Sequence, residues 1–314
     1  MSVDVFRRAL ERVEATFLNG QSAEAALARR EAGSVLAGDE RLVRARCCEL
    51  ISGQAPDGSW AGDVLLTATA LVELAELEWA LVPGRDPVEL EPDGQVPAGL
   101  AWLAALRDGP GRFGEDCSEA WHRQGLCSHV LTGFHAPPAG RGSVDADTLV
   151  VASARATRAA LAWGQHGPAL DAHLDSLHRV ISHWAWPGGE PLLQPRSGVA
   201  ALGAVLEAWR QPEDVVSAAE GIACLVRTQR ADGTWHGVGL YDALDTLLLG
   251  VARGYRVPEV DAALLRAAEL LAISQKADGS WGRQTTVRQP LTAWRVLRHT
   301  QALAQEARTP IFPG

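Results

Sequence analysis

The chain has 314 residues, and its 29 Lys and Arg against 38 Asp and Glu give a formal net charge of −9. No basic run or stripe exists that could neutralise a row of phosphates, so nucleic-acid binding is excluded. Apolar residues make up 47%, chiefly Ala, Leu and Val, with only 5 Phe and 2 Tyr. That mixture suits closely packed helices and gives little material for a β-sandwich.

In chain order, Val5, Leu10, Val13 and Phe17 recur at helical spacing and predict an amphipathic opening helix over residues 3–18. A weaker helix is expected over 22–35, stopping at Gly38. From there outer and inner helices alternate. Residues 40–53 read as outer and 63–80 as inner, and the next outer helix is expected at 97–107. A His-, Cys- and Pro-bearing insertion over 114–142 delays its inner partner, which runs from 145 to 163. Three more pairs follow: 168–184 with 197–209, 213–229 with 242–255, and 259–275 with 290–303.

Three of the turns between helices carry one phrase. It reads Gln54-Ala55-Pro56-Asp57-Gly58-Ser59-Trp60, then Gln229-Arg230-Ala231-Asp232-Gly233-Thr234-Trp235, then Gln275-Lys276-Ala277-Asp278-Gly279-Ser280-Trp281. The segment from Asp108 to Gly114 is a degenerate copy with Phe113 in place of Trp. Asp-Gly supplies a capping carboxylate and a residue that tolerates positive φ, so the chain can reverse between helices. Gln and Trp are expected to close a helix end and tie neighbouring repeats together.

A repeat of helix pairs buries its apolar stripes without an unpaired terminal unit when it closes on itself. The expected fold is all-α, an α/α toroid of about five to six helix pairs. Residues 1–38 would pack on it as N-terminal helices, 39–306 would form it, and 307–314 would be a tail.

The three phrases resemble the QW motifs of squalene-hopene cyclases and related class II terpene cyclases, and the likeness spans about Glu40 to Leu303. Protein prenyltransferase β-subunits share that toroid, but their zinc-binding set has no convincing match here. In class II cyclases an Asp-x-Asp-Asp motif faces the cavity, and its middle Asp protonates an alkene or epoxide. Asp145-Ala146-Asp147-Thr148 resembles it, with Thr148 where the last Asp would stand. The resemblance implies Asp147 as general acid, Asp145 as its proton-sharing partner, and a prenyl or polyprenyl substrate.

Protonating a carbon–carbon double bond demands a carboxylic acid that stays neutral until the substrate arrives, and burial beside a second carboxyl supplies that. The cation that follows needs π faces and dryness. Trp102, Trp121, Trp163, Trp209, Trp294 and Tyr241 are the candidates, and Asp242 with Asp245, one helical turn apart, form a second acidic pair. The ordinary explanation for both acidic segments is capping of a helix start. Arg141, Arg155, Arg158, Arg283 and Arg288 are candidate contacts for a diphosphate, or simply solvated.

No cofactor is called for, although Mg would accompany a diphosphate substrate. Cys117, His122, Cys127, His129 and His135 do not have zinc-ligand spacing, so no metal site is expected. Five cysteines, an odd number, favour reduced thiols. The opening residues have no signal-peptide core, and no stretch of about eighteen residues is free of charge, so a soluble, cytoplasmic protein is expected. Peripheral membrane contact stays open, since an apolar substrate must be delivered. A single toroid would leave one end of the cavity for the insertion, a second copy in a homodimer, or another partner to close. The rival to a cyclase is a non-catalytic toroid that binds an isoprenoid or lipid. A cyclase acting on a prenylated natural product is the third reading.

Overall fold

The computed structural model describes residues 3–81, 94–105, 146–185, 194–281 and 288–306. Among these are twelve α-helices and no strand beyond two isolated bridges. They are α1 (Val3–Asn19), α2 (Ala23–Glu31), α3 (Asp39–Ser52), α4 (Val64–Leu81), α5 (Gln95–Ala105), α6 (Ala146–Ala162), α7 (Pro168–Ala185), α8 (Pro195–Ala208), α9 (Pro212–Arg227), α10 (Leu240–Ala252), α11 (Pro258–Ser274) and α12 (Arg288–Glu306). The all-α class and the order of helices agree with the sequence reading. The helix expected at 168 does start at Pro168, and three others start one or two residues early, at Pro195, Pro212 and Pro258, where a missing N–H is harmless. α2 is the shortest, held at its start by the Ser22 hydroxyl accepting from the Ala25 amide and ending at Glu31.

The chain divides into two compact units, one of residues 1–43 with 225–314, the other of 44–224. In the second unit α6 packs along both α4 and α8, and α7 packs on α8. α8 is buried at Ser197, Gly198, Val199, Ala201, Leu202, Gly203, Ala204, Val205, Leu206 and Ala208. Small residues permit the close approach: a Cβ on Gly198 would lie 2.2 Å from the Trp184 ring. In the first unit α12 packs on α1, α10 and α11. Phe17 of α1 meets Trp294 of α12 edge to face, with centroids 6.0 Å apart.

The recurring phrase has one geometry in all three copies. The indole N–H of each Trp donates to a carbonyl ten residues upstream, Trp60 to Leu50, Trp235 to Leu225 and Trp281 to Leu271, at 2.7–2.8 Å. Each therefore satisfies one of the last carbonyls of its own preceding helix. The Gln amide donates twice, once to the Gly carbonyl of its own turn and once to a backbone carbonyl of a helix that is not the next in the chain. Gln54 reaches Gly58 and Gln95, Gln229 reaches Gly233 and Ala263, and Gln275 reaches Gly279 and Ala9. The phrase thus stitches α3 to α5, α9 to α11, and α11 to α1.

Asp57, Asp232 and Asp278 each accept from the hydroxyl and the amide two residues on. The hydroxyls of Ser59, Thr234 and Ser280, then the amides, hold these carboxyls below the ordinary range. Gly58 is pressed flat on α5: its φ is +93°, and a Cβ there would lie 2.4 Å from the Ala98 carbonyl oxygen. Gly58→Ala combines a strained backbone with a clash that no side-chain motion relieves. A destabilisation of at least about 1–3 kcal/mol is expected, read as a lower thermal midpoint.

Candidate active site

α6 and α8 run side by side and are fastened at both ends. At their C-terminal ends Arg158 Nε donates to Glu207 at 3.2 Å, with both side chains about 15% exposed. At their N-terminal ends the fastening is Asp147. Its Oδ1 accepts from the Gln194 amide at 2.7 Å and from the Ser197 hydroxyl at 2.5 Å. Gln194 is the residue that opens α8 and makes no cap bond with its own side chain. Asp147 supplies that cap from a neighbouring helix.

The local sequence explains why the carboxylate sits there. Asp147 lies in the first turn of α6, and Pro195 starts α8 with no N–H of its own. The first turn of α6 and the start of α8 thus meet at one half-buried side chain. Ser197, in contrast, is wholly buried. The Thr148 hydroxyl accepts from Arg196 at 3.5 Å, so the residue standing in place of the motif's last Asp also faces the start of α8.

The other sequence candidates are dispersed. Trp209 is the C-cap of α8 in a left-handed conformation, φ 35°, about 18 Å along the axis from Ser197. Trp163, just past the end of α6, is buried in the core around Leu71 and Leu74 and donates its indole N–H to the Leu71 carbonyl at 2.8 Å. It lies about 24 Å along that helix from Asp147. Trp102 is half-buried on the same core, its indole donating toward Asp57.

In the first unit, Trp294 is buried, with Arg298 5.1 Å from its ring centroid. Asp245 accepts from the Thr292 hydroxyl at 2.6 Å, joining α10 to α12, while Asp242 is exposed. Tyr241, half-buried in the first turn of α10, has its phenol pushed up to about 12 by burial. Of the candidate arginines, Arg158 is committed to Glu207. Asp145, Trp121, Arg141, Arg283 and the Cys/His insertion from Cys117 to His135 lie outside the described residues.

Among the described residues no group of three His, Cys, Asp or Glu could hold a metal ion. Cys47, Cys48 and Cys224 form no disulfide, and no described helix is long and apolar enough to cross a membrane. Ser197 and Gln194 are functional candidates that the sequence reading missed. They lie 50 and 47 residues from Asp147, and only the packing of α6 on α8 brings them to it.

No family model matches the chain, and no curated relative does. Solved structures of the type II terpene cyclase MstE from Scytonema are similar to it. The apo form aligns at 15% identity and a TM-score of 0.53, covering 97% of this chain and 99% of that one. A variant in complex with geranylgeranyl dihydroxybenzoate, its substrate, aligns at 15% and 0.53, covering 96% and 98%. A variant in complex with merosterolic acid A, its product, gives 15% and 0.52 over the same shares. At this identity the likeness is one of fold, and it extends over nearly the whole of both chains. The chain therefore has the all-α fold of these terpene cyclase structures, the α/α toroid class expected from its repeats.

Proposed function

We propose that the chain is a terpenoid cyclase of the class II kind, with Asp147 as general acid and Asp145 as its proton-sharing partner. The observation that carries this reading is the arrangement at Asp147. Oδ1 is held as a double acceptor by Gln194 and Ser197, so a transferable proton belongs on Oδ2. That proton passes to a terminal alkene carbon of a folded prenyl chain, and the alkene's electron pair forms the new C–H bond. The next double bond attacks the cation and closes a ring, and loss of a proton from carbon at the end returns the balance to zero. Substrate and product are isomers.

The likeness to MstE supports the reading in two ways. That chain is covered almost completely by this one, so a second helical domain is not required for a type II cyclase of this size. Its substrate, geranylgeranyl dihydroxybenzoate, is a prenylated aromatic acid, and this favours a prenylated natural product over a long unadorned triterpene here. The small number of Phe and Tyr points the same way, toward few ring closures.

The test is incubation of the purified chain with geranylgeranyl dihydroxybenzoate, geranylgeranyl diphosphate and squalene in turn, followed by product analysis and native mass spectrometry. A new compound of unchanged mass is expected with at least the first. Retention of a prenyl ligand without any isomer formed would instead favour a non-catalytic isoprenoid-binding protein.

A further inference from the structure

We infer that Ser197 is a positioning residue for proton transfer: its hydroxyl fixes Oδ1 of Asp147 as the acceptor end and strengthens its hold on that oxygen as Oδ2 gives up the proton. The inference rests on the reading of Asp147 as general acid.

Three observations converge on this role. Ser197 is completely buried, and a buried hydroxyl must have a partner. Its nearer acceptor is Asp147 Oδ1 at 2.5 Å, and the Asp147 backbone carbonyl is more distant at 3.3 Å. The hydroxyl donates to Oδ1 at 2.5 Å, and a hydrogen bond to an ionised acceptor is about twice as strong as one to a neutral acceptor. The bond is thus worth more to the carboxylate left behind than to the acid that precedes it. An interaction that grows along the reaction coordinate lowers the barrier without tightening substrate binding.

The chain context makes Ser197 suitable for this. It sits in the first turn of α8, whose backbone is set by Pro195, and its amide bonds back to the Gln194 carbonyl at 2.9 Å. Its Oγ is therefore carried by a rigid, close-packed helix. The Gln194 amide at 2.7 Å is the second donor on the same oxygen, and as backbone it survives every substitution except proline, which would also disturb the start of α8. Ser197 is the member of the pair that mutation can test.

Two variants and two readouts decide the matter. Ser197→Ala removes the donor, and Ser197→Cys keeps a weaker one of similar size. Infrared difference spectra between the parent and Asp147→Asn isolate the C=O stretch of the protonated Asp147 side chain. That band is expected to move to higher wavenumber in Ser197→Ala and to an intermediate position in Ser197→Cys. With geranylgeranyl dihydroxybenzoate as probe, kcat is expected to fall about tenfold in Ser197→Ala with KM unchanged, and less in Ser197→Cys.

A band that stays in place in Ser197→Ala overturns the inference and leaves Asp147 as acid untouched. So does a kcat loss that follows the thermal midpoints of the two variants in place of their donor strength. If the parent shows no protonated band that Asp147→Asn removes, the acid assignment falls and the role of Ser197 falls with it.

Discussion

Asp147→Asn is expected to lower turnover by about 10²–10⁴-fold while leaving helix content and thermal midpoint close to those of the parent. The substitution is specific because of what it retains. An Asn carbonyl can still accept from the Gln194 amide and the Ser197 hydroxyl, so the junction of α6 and α8 stays capped. What it removes is the acidic oxygen Oδ2. Asp147→Ala removes both functions, and is expected to lose activity together with about 0.5–2 kcal/mol of stability, as a helix start without its cap does. Comparing product yield and circular dichroism of the two variants separates chemistry from capping. An Asn variant that turns over at the parent's rate would show that Asp147 only caps α8.

The largest effect on stability is expected at Arg29. This side chain is 2% exposed and donates to both oxygens of Asp39 as well as to the carbonyls of Phe17 and Gly20. Asp39 in turn accepts from the Leu36 amide at 2.9 Å, and so fixes the path from α2 into α3. Arg29→Met leaves a buried carboxylate and two carbonyls without their donor, and a loss of about 3–5 kcal/mol is expected in denaturant titration. The double variant Arg29→Met with Asp39→Leu is expected to recover part of it, since a buried pair replaced by apolar groups is far less harmful than half a pair.

The same contact makes a prediction about acid. The hydrogen bond from Arg29 holds the Asp39 carboxyl below the ordinary range, opposing the desolvation that would raise it. Its folded value is therefore lower than its unfolded one. The stabilisation is fully present above the usual carboxylate value of about 3.9 and fades as the pH falls through the lower folded value. Acid unfolding of the parent should steepen in that window. In Asp39→Leu, this contribution to the slope should be missing.

Much of this architecture could be read before any coordinates. Each copy of the Gln…Asp-Gly…Trp phrase is local, its Asp, Gly and Trp serving the turn and helix end in which they stand, so period and pattern were enough to place the helices. The second amide hydrogen bond of each Gln was less visible, because its acceptors, Gln95, Ala263 and Ala9, are backbone atoms of any residue type. Asp147 stood out through the acidic motif at a helix start. Ser197 did not, because a serine near a helix N-terminus is commonplace and nothing in the sequence indicates that α8 lies beside α6. Arg29 had no place in the sequence reading, and its burial follows from α2 packing on α1 and α12. Trp163 and Trp294 were candidate π faces for a cation, and both are buried in cores. Their neighbours, the Leu71 carbonyl and Phe17, come from distant stretches of chain.

Isotope incorporation tests the central claim most directly. If Asp147 starts the reaction by giving its proton to carbon, turnover of geranylgeranyl dihydroxybenzoate in D2O should place a single deuterium on the carbon that is protonated first, and the Asp147→Asn variant should form that labelled product about 10²–10⁴-fold more slowly. A cyclic product formed in D2O without carbon-bound deuterium would contradict protonation as the initiating step.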